Sequence, residues 1–368
     1  MMMQEQQQQQ QQLSGSSPRS SFVIGLLIGG LLFLALHMED QVYQMFGATP
    51  GCDTVAGMLG GMFGGLPQIE LSVDDDYIPP AVLPWEEELY DVPSPDMKVA
   101  ICAIIKDSET FIDEWIDYNF AVGFHAIYIY DNTPRNDFRE WGQKQYEAGR
   151  NLQVIHFPEE NNNLTQKNAY NGCAHRFKNE SDYIAFIDDD EFLVLKKHRD
   201  ISELIAEHLP DGGALTISWR RFGSSNKTQY STVPTTRRFM YRELRTHIRV
   251  KSIVKSEDFI EMQSAHSVFV KNNKTIQDTT GGGDYDWDGA YNRNRPDDVA
   301  VFNHYKFKSD KEWWYKECVR QTVLGAGMSW QGCGEPPKVG VTYDDAAWKI
   351  LRARVPKYRV FDEWHDRS

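Results

Sequence analysis

The chain is short of positive charge. Its 368 residues carry 39 Lys and Arg against 53 Asp and Glu, a net charge of −14 at pH 7. Binding a phosphate backbone takes clustered Lys and Arg, so nucleic acid is excluded as the main partner. Two nucleotide signatures are also missing. No Gly-x-Gly-x-x-Gly follows the first strand-like run, which disfavours a dinucleotide fold, and no Gly-Lys-Ser/Thr P-loop is present. Cysteine is scarce: Cys52, Cys102, Cys173, Cys318 and Cys333 leave one unpaired if the compartment oxidises the rest. Cys102 lies inside an apolar strand and reads as a buried small residue, while Cys318 and Cys333 are the best pair for a local bridge. Hydrophobic and charged fractions of 41% and 25% are nevertheless those of a globular protein with a sizeable core.

The first apolar run, Phe22 to Leu36, falls a little short of the ~20 residues that comfortably span a bilayer. Arg19 precedes it and Glu39 and Asp40 follow, a bias that keeps the N-terminus in the cytosol. We read residues 1–20, with their Gln tract, as a disordered cytosolic tail and 21–38 as a signal anchor. A cleaved signal peptide competes, but no small-x-small site directly follows the run. Residues 39–97, Gly-rich, then acidic, then Pro-rich, form a stem. The globular domain covers 98–345, and 346–368 is a C-terminal packing segment. Sequons at Asn163, Asn179, Asn226 and Asn273 all lie beyond the span, in agreement with a lumenal, glycosylated domain.

From Lys98 onward strands and helices alternate. Val99 to Ile105 is a continuous apolar run, as in a parallel strand covered on both faces. Ser108 caps a helix expected over Glu109 to Val122, and Gly123 stops it. Further strands are expected at Ala126–Tyr130, Leu152–Phe157 and Tyr183–Ile187, with helices between, predicting a doubly wound α/β sheet. The last of these strands ends in four consecutive acids, Asp188 to Glu191, before the chain turns apolar again. Unpaired carboxylates repel one another and resist desolvation, and a hard cation such as Mn²⁺ or Mg²⁺ relieves both costs. The plainer reading is a solvated acidic turn. Ligands bind at the carboxyl ends of strands in such sheets, and Lys106, Asp131 and the acid run all fall at such ends.

These pieces resemble glycosyltransferase family 92, formerly domain of unknown function 23. The likeness rests on Lys106 to Glu109, Glu114 to Tyr118, Gly123-Phe124, Ile127 to Asn132 and Phe186 to Leu193. It continues in Trp219 to Ser225, Lys251 to Val254, His266 and Asn303 to Ser309, in the family's order. The sequence departs from the usual pattern at Asp107-Ser108-Glu109 and at Asn119. The resemblance implies a GT-A-like fold in a single-pass type II Golgi membrane protein. It also implies a divalent metal and inverting transfer of a hexose, galactose foremost, from a UDP-sugar to a glycan acceptor.

Carried onto this chain, it implies Asp188 and Asp190 as metal ligands, Asp188 also toward the donor, with Asp189 and Glu191 around them. His304 is the expected third ligand and His266 the reserve. Lys251 and Lys308 are candidate diphosphate contacts, and Asp131 and Lys106 candidate nucleotide contacts, although an Asp-Asn turn and a Lys106–Asp107 pair account for the latter two equally well. Trp219, Phe222 and Trp287 are candidate acceptor platforms, core packing being the alternative for the first two. Asp286 and Asp288, in the loop Gly281 to Gly289, are unranked candidates for the general base. Two other readings remain: a non-catalytic glycan- or nucleotide-sugar-binding protein, and a Mg²⁺-dependent phosphohydrolase. The second wants its leading Asp at the first strand, and here the acids follow the fourth.

Overall fold

The computed structural model describes residues 96–135, 138–158, 164–320 and 337–364. All belong to one compact unit, 74–368. The expected anchor, the stem as far as residue 95, Asn163 and Cys333 lie outside the described residues. Among the described residues, no helix is long and apolar enough to cross a membrane.

The first half follows the expected alternation. Strands β1 (Val99–Ile105), β2 (Ala126–Asp131), β3 (Leu152–His156) and β4 (Tyr183–Phe186) are parallel, in the order β3-β2-β1-β4. Between them run α1 (Ile112–Ala121), α2 (Phe138–Glu147) and α3 (Thr165–Phe177). Alternate residues of β1 enter two cores. Val99, Ile101, Ala103 and Ile105 pack with Trp115 and Ile116 of α1, whereas Ala100, Cys102 and Ile104 pack with Ala169, Tyr170 and Phe177 of α3. Both faces are covered, which is why the strand reads as an unbroken apolar run. Truncating Trp115, which is fully buried, to Ala is expected to cost roughly 3–5 kcal/mol.

Two local expectations change. Cys102 is not a free thiol but is bonded to Cys173, tying β1 to α3 on the second face. Both sulfurs come from positions that the 2.0 and 3.6 periodicities send to the same core, a relation invisible to a pairing guess made by sequence proximity. Cys318 is disulfide-bonded too. Helix α1 starts at Ile112 rather than near Glu109, and its N-cap position, Phe111, makes no side-chain cap. The Ser108 hydroxyl is drawn away to the Asp189 carboxylate, a charged acceptor that outcompetes a helix end.

The second half is not doubly wound. The sheet continues β4-β8-β6-β12-β5, made by β5 (Glu191–Leu195), β6 (Ala214–Arg221), β8 (Val250–Lys255) and β12 (Ala300–His304), while the short strands β7 (Tyr241–Arg242), β9 (Phe259–Met262), β10 (Val268–Val270) and β11 (Ile276–Gln277) lie off this path. β8 runs antiparallel to both β4 and β6, and β5 antiparallel to β12. β6 changes partner along its length, from β8 over Ala214–Ser218 to β12 over Trp219–Arg221. The sheet therefore splits, and β4 and β5, neighbours in sequence, end up on opposite sides of the split. The acidic turn bridges them. Helices α4 (Ile201–His208), α5 (Thr235–Arg238), α6 (Asp310–Trp314) and α7 (Ala346–Arg354) complete the described helical part. Residues Ala347, Ile350 and Leu351 of α7 join the first core.

Candidate functional site

The turn from Asp188 to Glu191 is closed by reciprocal bonds. Glu191 N–H donates to the Asp188 carbonyl at 3.1 Å, and Asp188 N–H donates to Glu191 Oε2 at 2.9 Å. Strand pairing then carries a histidine to it. In the β5–β12 register His304 stands opposite Glu191, and Tyr305 N–H donates to the Asp190 carbonyl at 2.9 Å. His304 Nε2 consequently lies 3.2 Å from Asp190 Oδ1. Both side chains are buried. Burial keeps His304 below its ordinary pKa despite Asp190, so this contact is a neutral imidazole against a carboxylate. Asp190 Oδ2 accepts from Lys316 Nζ at 2.7 Å. Burial opposes charge on Asp190, but Lys316, His304 and Lys308 outweigh it and hold the carboxyl well below the usual range.

Asp188 points elsewhere. Its Oδ1 accepts from Gln166 Nε2 (2.6 Å), Tyr170 Oη (2.7 Å) and Lys251 Nζ (2.8 Å). Lys251 is fully buried and also lies 3.6 Å from Glu191 Oε2. Burial disfavours its ammonium, yet Asp188 and Glu191 outweigh that and raise its pKa. Burial and the neighbouring aspartates raise Glu191 well above the carboxylate range, against the pull of Lys251. Lys251 as a diphosphate contact is thereby corrected: its charge is spent inside the protein, on the Asp188 carboxylate beside Glu191. Gln166 and Tyr170 went unnoticed in the sequence although their i,i+4 spacing puts them on one face of α3. Nothing local marked Lys316.

A cavity of about 280 Å³ opens beside the turn, between the segment after β1 and the segment after β12. Phe111, Asp189, Asp190, Lys308 and Lys316 line it. Lys308 has φ of +49°, a left-handed backbone that Lys rarely adopts, and its Nζ lies 2.9 Å from the centre of the Phe111 ring. Burial pushes its pKa down to about 8, despite Asp190 and Glu312.

The remaining candidates separate. Asp131 is buried at the end of β2. Its Oδ1 accepts from Thr133 N–H at 2.9 Å, the turn-forming reading, while Oδ2 is buried with no hydrogen-bond partner. Burial raises its pKa. Asp107 pairs with Arg135 at 3.4 Å, and Lys106 directly follows β1 at the start of the cavity segment. Trp219 packs 4.3 Å from the His304 ring and leaves Nε1 without a partner. Phe222 is fully buried against Tyr305, which removes it as an acceptor platform: the ring has no surface to offer a sugar. His266 is replaced as reserve ligand, since Nδ1 faces the Val250 carbonyl at 3.1 Å and Nε2 faces Arg249 Nη1 at 3.0 Å. Trp287 is 87% exposed, on a loop held by Ser267 and by Gln263, which donates to the Trp287 carbonyl at 3.1 Å. Asp286 and Asp288 accept from Tyr291 N–H (3.2 Å) and Ala290 N–H (3.0 Å), and burial together with Asp288 raises the Asp286 pKa. Asn179, Asn226 and Asn273 are all exposed.

A parallel half-sheet, a split filled by antiparallel strands and an acidic turn at the split make a mixed α/β fold compatible with a GT-A-like domain. The profile of Glycosyltransferase family 92 matches residues 97–331, well over half of the sequence, and the chain belongs to that family. The motif resemblance thus holds. A glycosyltransferase family 92 protein from Ricinus communis is 25% identical over 241 residues, 64% of this chain and 39% of the relative. One from Arabidopsis thaliana is 24% identical over 229 residues, 57% of this chain and 35% of the relative. The matches span well under half the length of these curated relatives. The solved structure of a CMP:2-keto-3-deoxy-manno-octonic acid synthetase complexed with CTP is 12% identical over 44% of this chain and 75% of that one. Its TM-score of 0.25 is too low to argue from.

Proposed function

We propose that the chain is a metal-dependent inverting glycosyltransferase that moves a hexose, galactose foremost, from a UDP-sugar to a glycan acceptor. The observation that carries this reading is the Asp190–His304 contact of 3.2 Å at the cavity wall. Two ligands of one divalent cation with bonds of about 2.0–2.2 Å stand roughly 3 Å apart, so a buried carboxylate and a neutral imidazole at this spacing could share a transition-metal ion such as Mn²⁺. Asp190 and His304 would hold the ion. When bound, it neutralises charge on the leaving diphosphate.

The chain's own groups supply the rest. Lys308 and Lys316 bring positive charge to the same cavity, where a diphosphate needs it. Asp131, at the carboxyl end of β2 and held by Thr133, is the candidate nucleotide contact on the same sheet edge. Asp188 acts by holding the turn through Lys251. The acceptor side follows a chain of contacts: His304 to Trp219 at 4.3 Å, Trp219 to His266 at 5.1 Å, then Ser267 to the Asp288 carbonyl. On this connection we read the loop of Asp286, Trp287 and Asp288 as the acceptor side. Asp286 is the better base, because burial and its neighbour raise its proton affinity. It takes the acceptor hydroxyl proton as that oxygen bonds to the sugar's anomeric carbon and the UDP oxygen leaves. The apolar run at 22–36 would anchor the domain in the Golgi membrane as a type II protein, with a lumenal catalytic domain and glycans at the exposed sequons.

The test has two arms. UDP with Mn²⁺ should raise the melting temperature of the purified protein, and chelator or Asp190→Ala should abolish the shift. A screen of UDP-sugars against glycan acceptors should yield a product heavier by one hexose. Protection that survives both chelator and Asp190→Ala would sink the metal site; protection without any product would leave a binding protein.

A further inference from the structure

A second group of ligating side chains lies away from the acidic turn. His198, Glu207 and His208 present ligand atoms that all lie within 4.8 Å of one another, alone in this among groups of three or more in the described residues. His198 follows β5, and Glu207 and His208 close the eight-residue α4, so the helix itself brings them together. His198 Nε2 stands 2.8 Å from Glu207 Oε2, and His208 Nε2 stands 3.6 Å from Oε1 of the same carboxylate. Tetrahedral zinc with bonds of about 2.0–2.2 Å sets neighbouring ligand atoms roughly 3.3–3.5 Å apart, and the two observed spacings bracket that value.

The group differs from a chance surface pair in its burial. The His198 side chain is 6% exposed and that of His208 14%, and the buried Nε2 of His208 has no hydrogen-bond partner. Glu207, 66% exposed, leaves the outer side open to water as a fourth ligand. Two imidazoles and one carboxylate suit Zn²⁺ better than Mg²⁺ or Ca²⁺, which favour oxygen alone.

We propose that His198, Glu207 and His208 form a Zn²⁺ site that clamps the two ends of α4. The strand β5, five residues at about 3.3 Å each, separates it from Asp190 and His304 by roughly 15 Å or more, so it is independent of the proposed sugar transfer.

The experiment uses the full chain carrying Asp190→Asn and His304→Gln, which silences the other candidate pair. Equilibrium dialysis should retain one equivalent of Zn²⁺, and Co²⁺ in its place should show the visible bands of a tetrahedral N/O site. Adding His208→Gln, or separately the exposed Glu207→Gln, should weaken Zn²⁺ binding more than about 100-fold, beyond the loss that changes around the ligands produce. The far-UV circular dichroism of either variant should match that of the parent. Zn²⁺ affinity unchanged by both substitutions, or a parent that retains no Zn²⁺, would overturn the site.

Discussion

Asp188 and Asp190 stand two residues apart in one turn and live in opposite surroundings. Asp188 faces the protein, where Gln166, Tyr170 and the fully buried Lys251 converge on one oxygen. Asp190 faces the cavity, where His304 and Lys316 meet it from a different strand and from the π-helical segment after α6. The inner wall is a closed charge balance that resists change. The outer wall is a set of cations and an imidazole gathered around one carboxylate, and a ligand can redistribute them. A motif of alternate acids therefore divides into a residue that holds the turn and a residue that is offered to a ligand.

The sharpest way to break this contrast is Lys251→Met. Removing one partner of a buried charge group strands the others, at a cost of roughly 3–5 kcal/mol. Urea unfolding should show that loss, whereas the same change at the partly exposed Lys316 should cost less, because Lys308 and the His304 ring still face Asp190. Equal losses at both positions would mean the two walls are alike.

Next in size is the pair of aspartates themselves. Asp190→Asn should lower sugar transfer by about 10²–10³-fold with a small change in stability. Asp188→Asn should reverse the balance, costing about 1–3 kcal/mol of stability through its buried partners and less of the turnover. Steady-state rates and unfolding curves on the same two preparations decide it.

A smaller effect belongs to Lys308. Its pKa of about 8 means that its ammonium is present below that value and lost as pH rises through it. Affinity for UDP should fall about tenfold or less between pH 7 and 9, and Lys308→Met should flatten the profile. A profile unchanged in the variant would take Lys308 out of the anion site.

How much of this was legible follows the same division. The β1–β4 half could be read because β1, β2 and β4 are buried along their whole length and so appear as mainly apolar runs, from Val99–Ile105 to Tyr183–Phe186. Asp190 and His304 were readable as candidates from family motifs. Their contact depends on the antiparallel register of β5 and β12, more than a hundred residues apart in sequence, and no local pattern encodes such a pairing. Lys251 misled for a related reason: a lysine in an apolar strand looks like a charge sent outward, and only the sheet reveals the two carboxylates waiting inside. The Cys102–Cys173 bridge was hidden in the same way, by a helix packing across 71 residues of sequence.

The finest test of the inner wall is Tyr170→Phe. The ring stays, packed 5.2 Å from Phe186 in the second core, so no cavity forms. What is lost is the hydroxyl's bond of 2.7 Å to Asp188 and the bond of 3.1 Å it accepts from Gln166. Hydrogen bonds to charged groups contribute about 1.5–3 kcal/mol, but Gln166 and Lys251 still serve the same oxygen, so a loss near 1 kcal/mol is expected. If Asp188 is held as argued, the double variant Tyr170→Phe with Lys251→Met should lose less than the sum of the two single losses, because both act through one carboxylate. Strict additivity in urea melts would place Tyr170 outside the wall and leave its hydroxyl as a bystander of core packing.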